Sequence, residues 1–122
     1  MKFIETQYGN KTEILKFPDH YVNLAITVSD EGIAANAEGK KIVAAGTILG
    51  GGVLEDDNAL AVKASTDENG SNAEGILFND VDVTYGPASG ALLIHGFVAL
   101  DKLPKAPTKE DKAALKQITF LK

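Results

Sequence analysis

Apolar and polar residues alternate with a period of two along several short stretches of this chain. Clusters of Gly, Pro, Asn and Asp separate the stretches. The longest patterned region is residues 73–103, AEGILFNDVDVTYGPASGALLIHGFVALDKL. In its first half Val81, Val83 and Tyr85 alternate with Asp80, Asp82 and Thr84, which places the two sets on opposite faces of a strand. In its second half Ala91 to Leu100 is almost entirely apolar, the pattern of a strand covered on both faces or lying at a sheet centre. Between them stands Gly86-Pro87-Ala88-Ser89-Gly90, where Pro87 presets φ for a turn and Gly90 tolerates φ > 0. The pattern predicts a central antiparallel hairpin over about 73–100.

Other elements follow in chain order. Residues 1–12, MKFIETQYGNKT, carry Phe3, Ile4 and Tyr8 without a steady period, and Gly9-Asn10 marks a turn. This segment reads either as an edge strand or as an arm that orders against a partner. Residues 13–17 form a short strand expected to stop at Pro18. In residues 20–28, HYVNLAITV, the cleaner apolar face is Val22, Leu24, Ile26 and Val28. Ser29 to Gly32 is a turn, and residues 33–41 read as a loop or one to two turns of helix. Residues 41–52 hold two short apolar pieces around Gly46 and end in a glycine triplet. Asp56-Asp57-Asn58 turns the chain, residues 59–65 alternate as a strand, and Thr66 to Asn72 is an exposed polar loop tip. Pro104 and Pro107 break the sheet. Thr108 is the expected N-cap of a helix over 109–117, with Glu110 and Asp111 in its first turn. So short a helix must pack through Ala114 and Leu115. Ile118 to Leu121 closes as a strand. The expected fold class is mainly β with one short C-terminal helix, a compact β-barrel or β-tulip-like domain built on the central hairpin.

The totals narrow the function classes. The 122 residues suit one domain that buries about two-thirds of its extended-chain surface. With no cysteine, disulfides, thiolate metal sites and Cys nucleophiles are excluded. Net charge is −5, with 12 Lys and no Arg, which disfavours binding to nucleic acid and to anionic membranes. Glu5 interrupts the N-terminus before a signal-peptide apolar run forms, and no stretch approaches 18 apolar residues.

Candidate chemistry is sparse. Asp80-Val81-Asp82-Val83-Thr84 fits the D-x-D-x-T pattern of aspartate-nucleophile phosphatases, but strand alternation explains it and no helix-linked parallel sheet follows. His20 and His95 with Asp80 or Asp82 would offer divalent-metal ligands, yet no ligand spacing accompanies them. Gly50-Gly51-Gly52 lacks the G-K-[ST] ending of a phosphate loop. Asn10-Lys11-Thr12 and Asn69-Gly70-Ser71 match a glycosylation sequon, which means little without a secretion signal. Asp56-Asp57-Asn58 and Asp67-Glu68-Asn69 lack calcium-loop spacing. The expectation is a non-enzymatic protein with no catalytic, metal or cofactor-binding residues.

The segment order resembles a known family. Lys41 to Gly51, KIVAAGTILGG, precedes a polar loop; Ala73 to Leu77, AEGIL, leads into Asp80 to Thr84; Gly90 to Val98, GALLIHGFV, follows; and the chain ends on a short helix and Ile118 to Lys122. Over residues 40–122 this order is similar to bacteriophage head decoration proteins, especially small ones encoded beside major capsid genes in phages of Gram-positive bacteria, and more distantly to that of phage lambda. The resemblance implies a homotrimer bound to the outside of an expanded icosahedral shell, clamping major capsid protein subunits, or the base domain of a head fibre. The protein would be made in the host bacterial cytoplasm and end on the virion. Phe3, Ile4 and Tyr8 are the expected capsid contacts, by strand addition to a capsid sheet edge. The alternative is a small-ligand or glycan-binding β-barrel using His95 and Asp82.

Overall fold

The computed structural model describes residues 13–122, so the segment holding Phe3, Ile4 and Tyr8 lies outside the described residues. The described residues form ten strands: β1 (Leu15–Val28), β2 (Ile42–Val43), β3 (Ile48–Gly50), β4 (Leu60–Lys63), β5 (Thr66–Asp67), β6 (Gly70–Ser71), β7 (Gly75–Leu77), β8 (Val81–Asp82), β9 (Ala88–Ala99) and β10 (Ile118–Leu121). One helix, α1 (Lys109–Ala114), precedes the last strand. The main sheet runs β1-β4-β3-β7-β9-β10, and β9 also pairs with β1, closing the sheet into a ring. Two further ladders are short: β2 with β8, and β5 with β6. The protein is mainly β with one short helix near the C-terminus.

The apolar run of β9 is central, as its pattern requires. It pairs antiparallel with β1 along one edge, and along the other with β7, antiparallel, and then with β10, parallel. Adjacent residues on β7 and β9 feed opposite faces. Leu77 lies across from Leu92, and both join Ile26, Val28, Leu49, Ala61, Val81 and Val83 in one buried cluster. Ile76 lies across from Leu93, and both join Ile14, Leu15, Val98, Leu115 and Ile118 in the other. The second cluster is the one that receives the end of α1. A slip of one residue would exchange the two sets, so the double burial fixes the register.

Within the central region the pairing differs from the simplest hairpin. The near partner of β9 is β7, through Ile76 and Leu77. The alternating stretch forms β8, which pairs with β2 at Ile42↔Asp82 and Val43↔Val81. Side-chain alternation places Val81 and Val83 in the core but says nothing about which backbone lies alongside.

Pro18 does not end the first strand. Leu15 to Phe17 and residues 20–28 belong to the single strand β1, which crosses Pro18 in an irregular stretch. Four residues, Pro18 to Tyr21, separate Phe17 from Val22, whereas one, Gly96, separates their partners Phe97 and His95. A bulge tolerates the missing N–H of proline, which a regular ladder does not.

Two local expectations are also corrected, and one that was left open is decided. Thr66 to Asn72 is exposed at its tip but contains the β5–β6 hairpin. Residues 33–41 are loop, with Asn36 Oδ1 accepting hydrogen bonds from the N–H groups of Glu38 and Lys40. The helix ends at Ala114 rather than 117, because Leu115 leaves helical geometry (φ −92°, ψ 70°) to enter the core. Its N-terminus is as read: Thr108 Oγ1 accepts from Asp111 N–H, and the Asp111 carboxylate accepts from Thr108 N–H, a full capping box.

Candidate functional site

The bulged half of β1 carries an apolar surface that the fold leaves open. Phe17 is 50 % exposed, Val22 50 % and Tyr21 43 %. The aromatic rings are held rather than loose. Phe17 meets Phe97 edge to face at 5.8 Å between centroids, and Tyr21 stacks on Phe78 at 5.3 Å. Gly96 makes room for this: a Cβ there would lie 3.3 Å from Tyr21 Cβ. The strand that presents these rings begins at Leu15, shortly after residues 1–12 in the chain.

A groove of about 530 Å³ begins at Val22 and extends over Leu54, Ile94, Leu115 and the His95–Gln117 pair. His95 Nδ1 lies 3.1 Å from Gln117 Oε1, so its ring is tied to a side-chain amide. His20 is exposed within the bulge. Asp82 does not line the groove, so the structure does not bring it together there with His95. Among the described residues, no group of three or more His, Asp or Glu is placed to hold a metal ion.

The carboxylates marked by sequence as acidic chemistry bind backbone instead. Asp80 Oδ1 accepts from Ala45 N–H at 2.7 Å, fastening the segment before β8 to the turn after β2. Asp82 accepts from both the N–H and the hydroxyl of Thr84, while Thr84 Oγ1 accepts from Lys41 N–H at 2.9 Å. The Thr84 hydroxyl and then its N–H hold the Asp82 carboxyl below its ordinary value of 3.8; desolvation opposes them, and the charge of Lys40 adds the least to the lowering. A nucleophilic or acid-base role gains nothing from such an arrangement, because the carboxylate is already committed as an acceptor.

Glu74 was not legible as a functional or structural residue in the sequence. Its carboxylate accepts from the consecutive N–H groups of Gly52, Val53 and Leu54 at 2.6, 2.9 and 3.3 Å. Gly51 and Gly52 adopt φ of +108° and +84°, which aims the amides of the glycine-rich loop at this one side chain. The loop therefore has an anion-binding concavity, but the anion is the chain's own. Asp111 similarly links two elements, accepting from Ser71 Oγ of β6 while capping α1.

Phe17 and Tyr21 were likewise not singled out by sequence, and Val22, read as part of the apolar face of its strand, is exposed instead. A proline inside an otherwise apolar strand was the available signal, since it marks a bulge where side chains leave the regular faces. Comparison with known proteins returns no matching family model, no matching curated protein and no matching solved structure.

Proposed function

We propose that this protein is a structural decoration protein of a phage or prophage head, binding the exterior of the expanded shell and stabilising it. The observation that carries the reading is the exposed apolar surface of Phe17, Tyr21 and Val22, two of them aromatic, on the strand that begins at Leu15, shortly after residues 1–12 in the chain. Aromatic anchors held by neighbouring rings lose little side-chain freedom on binding, which suits them to a protein interface. Together with Phe3, Ile4 and Tyr8 they give one continuous chain segment with which to grip a capsid subunit. The carboxylates support the same reading, because they fasten loops to the sheet and make the body a rigid wedge. A trimer would gain avidity by engaging several capsid subunits through modest single contacts. The protein would then reside on the virion exterior, with major capsid protein as its partner.

Co-sedimentation with expanded heads of the encoding phage or prophage tests this. Binding to expanded heads, saturating in multiples of three per three-fold position, is expected. No binding to expanded heads would overturn it.

A second reading, a small-ligand or glycan-binding module, is favoured by the groove at His95 and Gln117, which offers polar groups beside Val22, Leu54 and Ile94. Saturable binding of a small ligand, lost on His95→Ala with the fold intact, would favour it over the first.

A further inference from the structure

The polar stretch between β4 and β7 points to chemistry unrelated to capsid binding. Here β5 and β6 form a hairpin whose turn is Glu68-Asn69, with Asp67 across from Gly70. Asp67 Oδ1 accepts from Asn69 N–H at 2.8 Å, and Gly70 takes a φ of +108°. We propose that Asn69 is a site of spontaneous self-modification, in which the backbone nitrogen of Gly70 displaces the side-chain amide of Asn69.

Each step balances with water as the sole co-reactant. The Gly70 nitrogen attacks Asn69 Cγ; the N–Cγ bond forms, the Cγ–Nδ2 bond breaks, and ammonia leaves with the proton from the Gly70 nitrogen. The product is a five-membered cyclic imide. Water then opens the ring at either carbonyl, giving aspartate or, when the Gly70 nitrogen stays on Cγ, isoaspartate.

The structure singles out this asparagine. Asn69 is exposed, and among the described residues no hydrogen bond involves its side chain. Its successor has no Cβ to block ring closure, and a Cβ built on Gly70 would meet nothing within 4 Å, so the peptide is open to solvent. The other described asparagines differ. Asn36 and Asn72 have their side-chain oxygens occupied as acceptors. Asn23 lies within β1, and Asn58 and Asn79 precede residues that carry a Cβ, Ala59 and Asp80. A ladder of two residues on each side opens readily, which supplies the backbone freedom that ring closure needs.

The modification has a structural consequence. It adds a carboxylate beside Asp67 and Glu68. The isoaspartate product also lengthens the backbone by one carbon inside a two-residue turn, which displaces Ser71 from Asp111 and loosens the hairpin from α1.

The test is to hold the full-length protein in mildly alkaline buffer, cleave it after glutamate, locate any mass gain residue by residue in every asparagine-containing fragment by fragmentation mass spectrometry, and assay isoaspartate by its enzymatic methylation. The expected result is a one-dalton gain confined to Asn69, with isoaspartate the larger product. The gain should be lost in Asn69→Gln and faster in Ser71→Ala, which frees the hairpin from α1. An unmodified Asn69 under conditions that convert a free peptide of the same sequence would overturn the proposal. So would an equal gain at Asn58 and Asn79.

Discussion

At the scale of single residues, Glu74 binds three consecutive backbone N–H groups, and its loss leaves all three without that acceptor. Glu74→Ala is expected to lower unfolding free energy by about 1–3 kcal/mol in denaturant titrations. Glu74→Gln keeps one oxygen acceptor, so its loss should be smaller; equal losses would contradict the reading of Glu74 as the anion held by the glycine-rich loop. Asp82 gives a pH signature. Its folded pKa lies below 3.8, so its contribution to stability is fully present above that pH and fades as the pH falls through the folded value. Thr84→Val removes the hydroxyl donor and should move the Asp82 titration, followed by NMR, up toward 3.8; an unmoved titration would show that the hydroxyl is not the cause. These carboxylates were visible in the sequence as acidic positions on strands and turns. Their partners were not, since Ala45 lies 35 positions from Asp80 and the Gly52 amide 22 from Glu74.

At the scale of elements, β9 organises the molecule by burying both faces. Leu92→Ala is expected to cost about 2–5 kcal/mol, because Leu92 is fully buried between facing strands. Gly75→Ala tests the close approach of β7. An added Cβ would lie 2.5 Å from Leu92 Cγ and 2.7 Å from Leu93 O, so a loss of about 1–3 kcal/mol is expected by calorimetry or denaturant titration. Retained stability there would mean that β7 sits farther from β9 than described. The apolar run of β9, the core face of Ile26 and Val28, and the Thr108 cap were all legible, because periodicity and capping are local. The pairing of β1 with β9 was not. It joins Leu15 to Val98 across most of the chain, and nothing local encodes such a contact. The assignment of β8 to β2 was hidden for the same reason, and Pro18 misled because it was read as the end of a strand rather than as the mark of a bulge.

At the scale of the whole molecule, charge is unevenly divided. Residues 1–12 hold Lys2, Lys11 and Glu5, a side-chain balance of +1, which leaves −6 on residues 13–122 of the total −5. Deleting residues 1–10 should leave the fold and its melting temperature nearly unchanged while weakening attachment to the shell. Unfolding on deletion would show that the segment completes the core. Phe17→Ser combined with Tyr21→Ser should weaken attachment as well, since it removes two exposed rings from the proposed grip. The claim on which the rest depends is that this body stabilises an expanded head. Its most direct test is the thermal disruption temperature of expanded heads from the encoding phage, measured with and without saturating protein. A clear upward shift, reduced by the 1–10 deletion, is predicted; an unchanged disruption temperature at saturating protein would contradict the account.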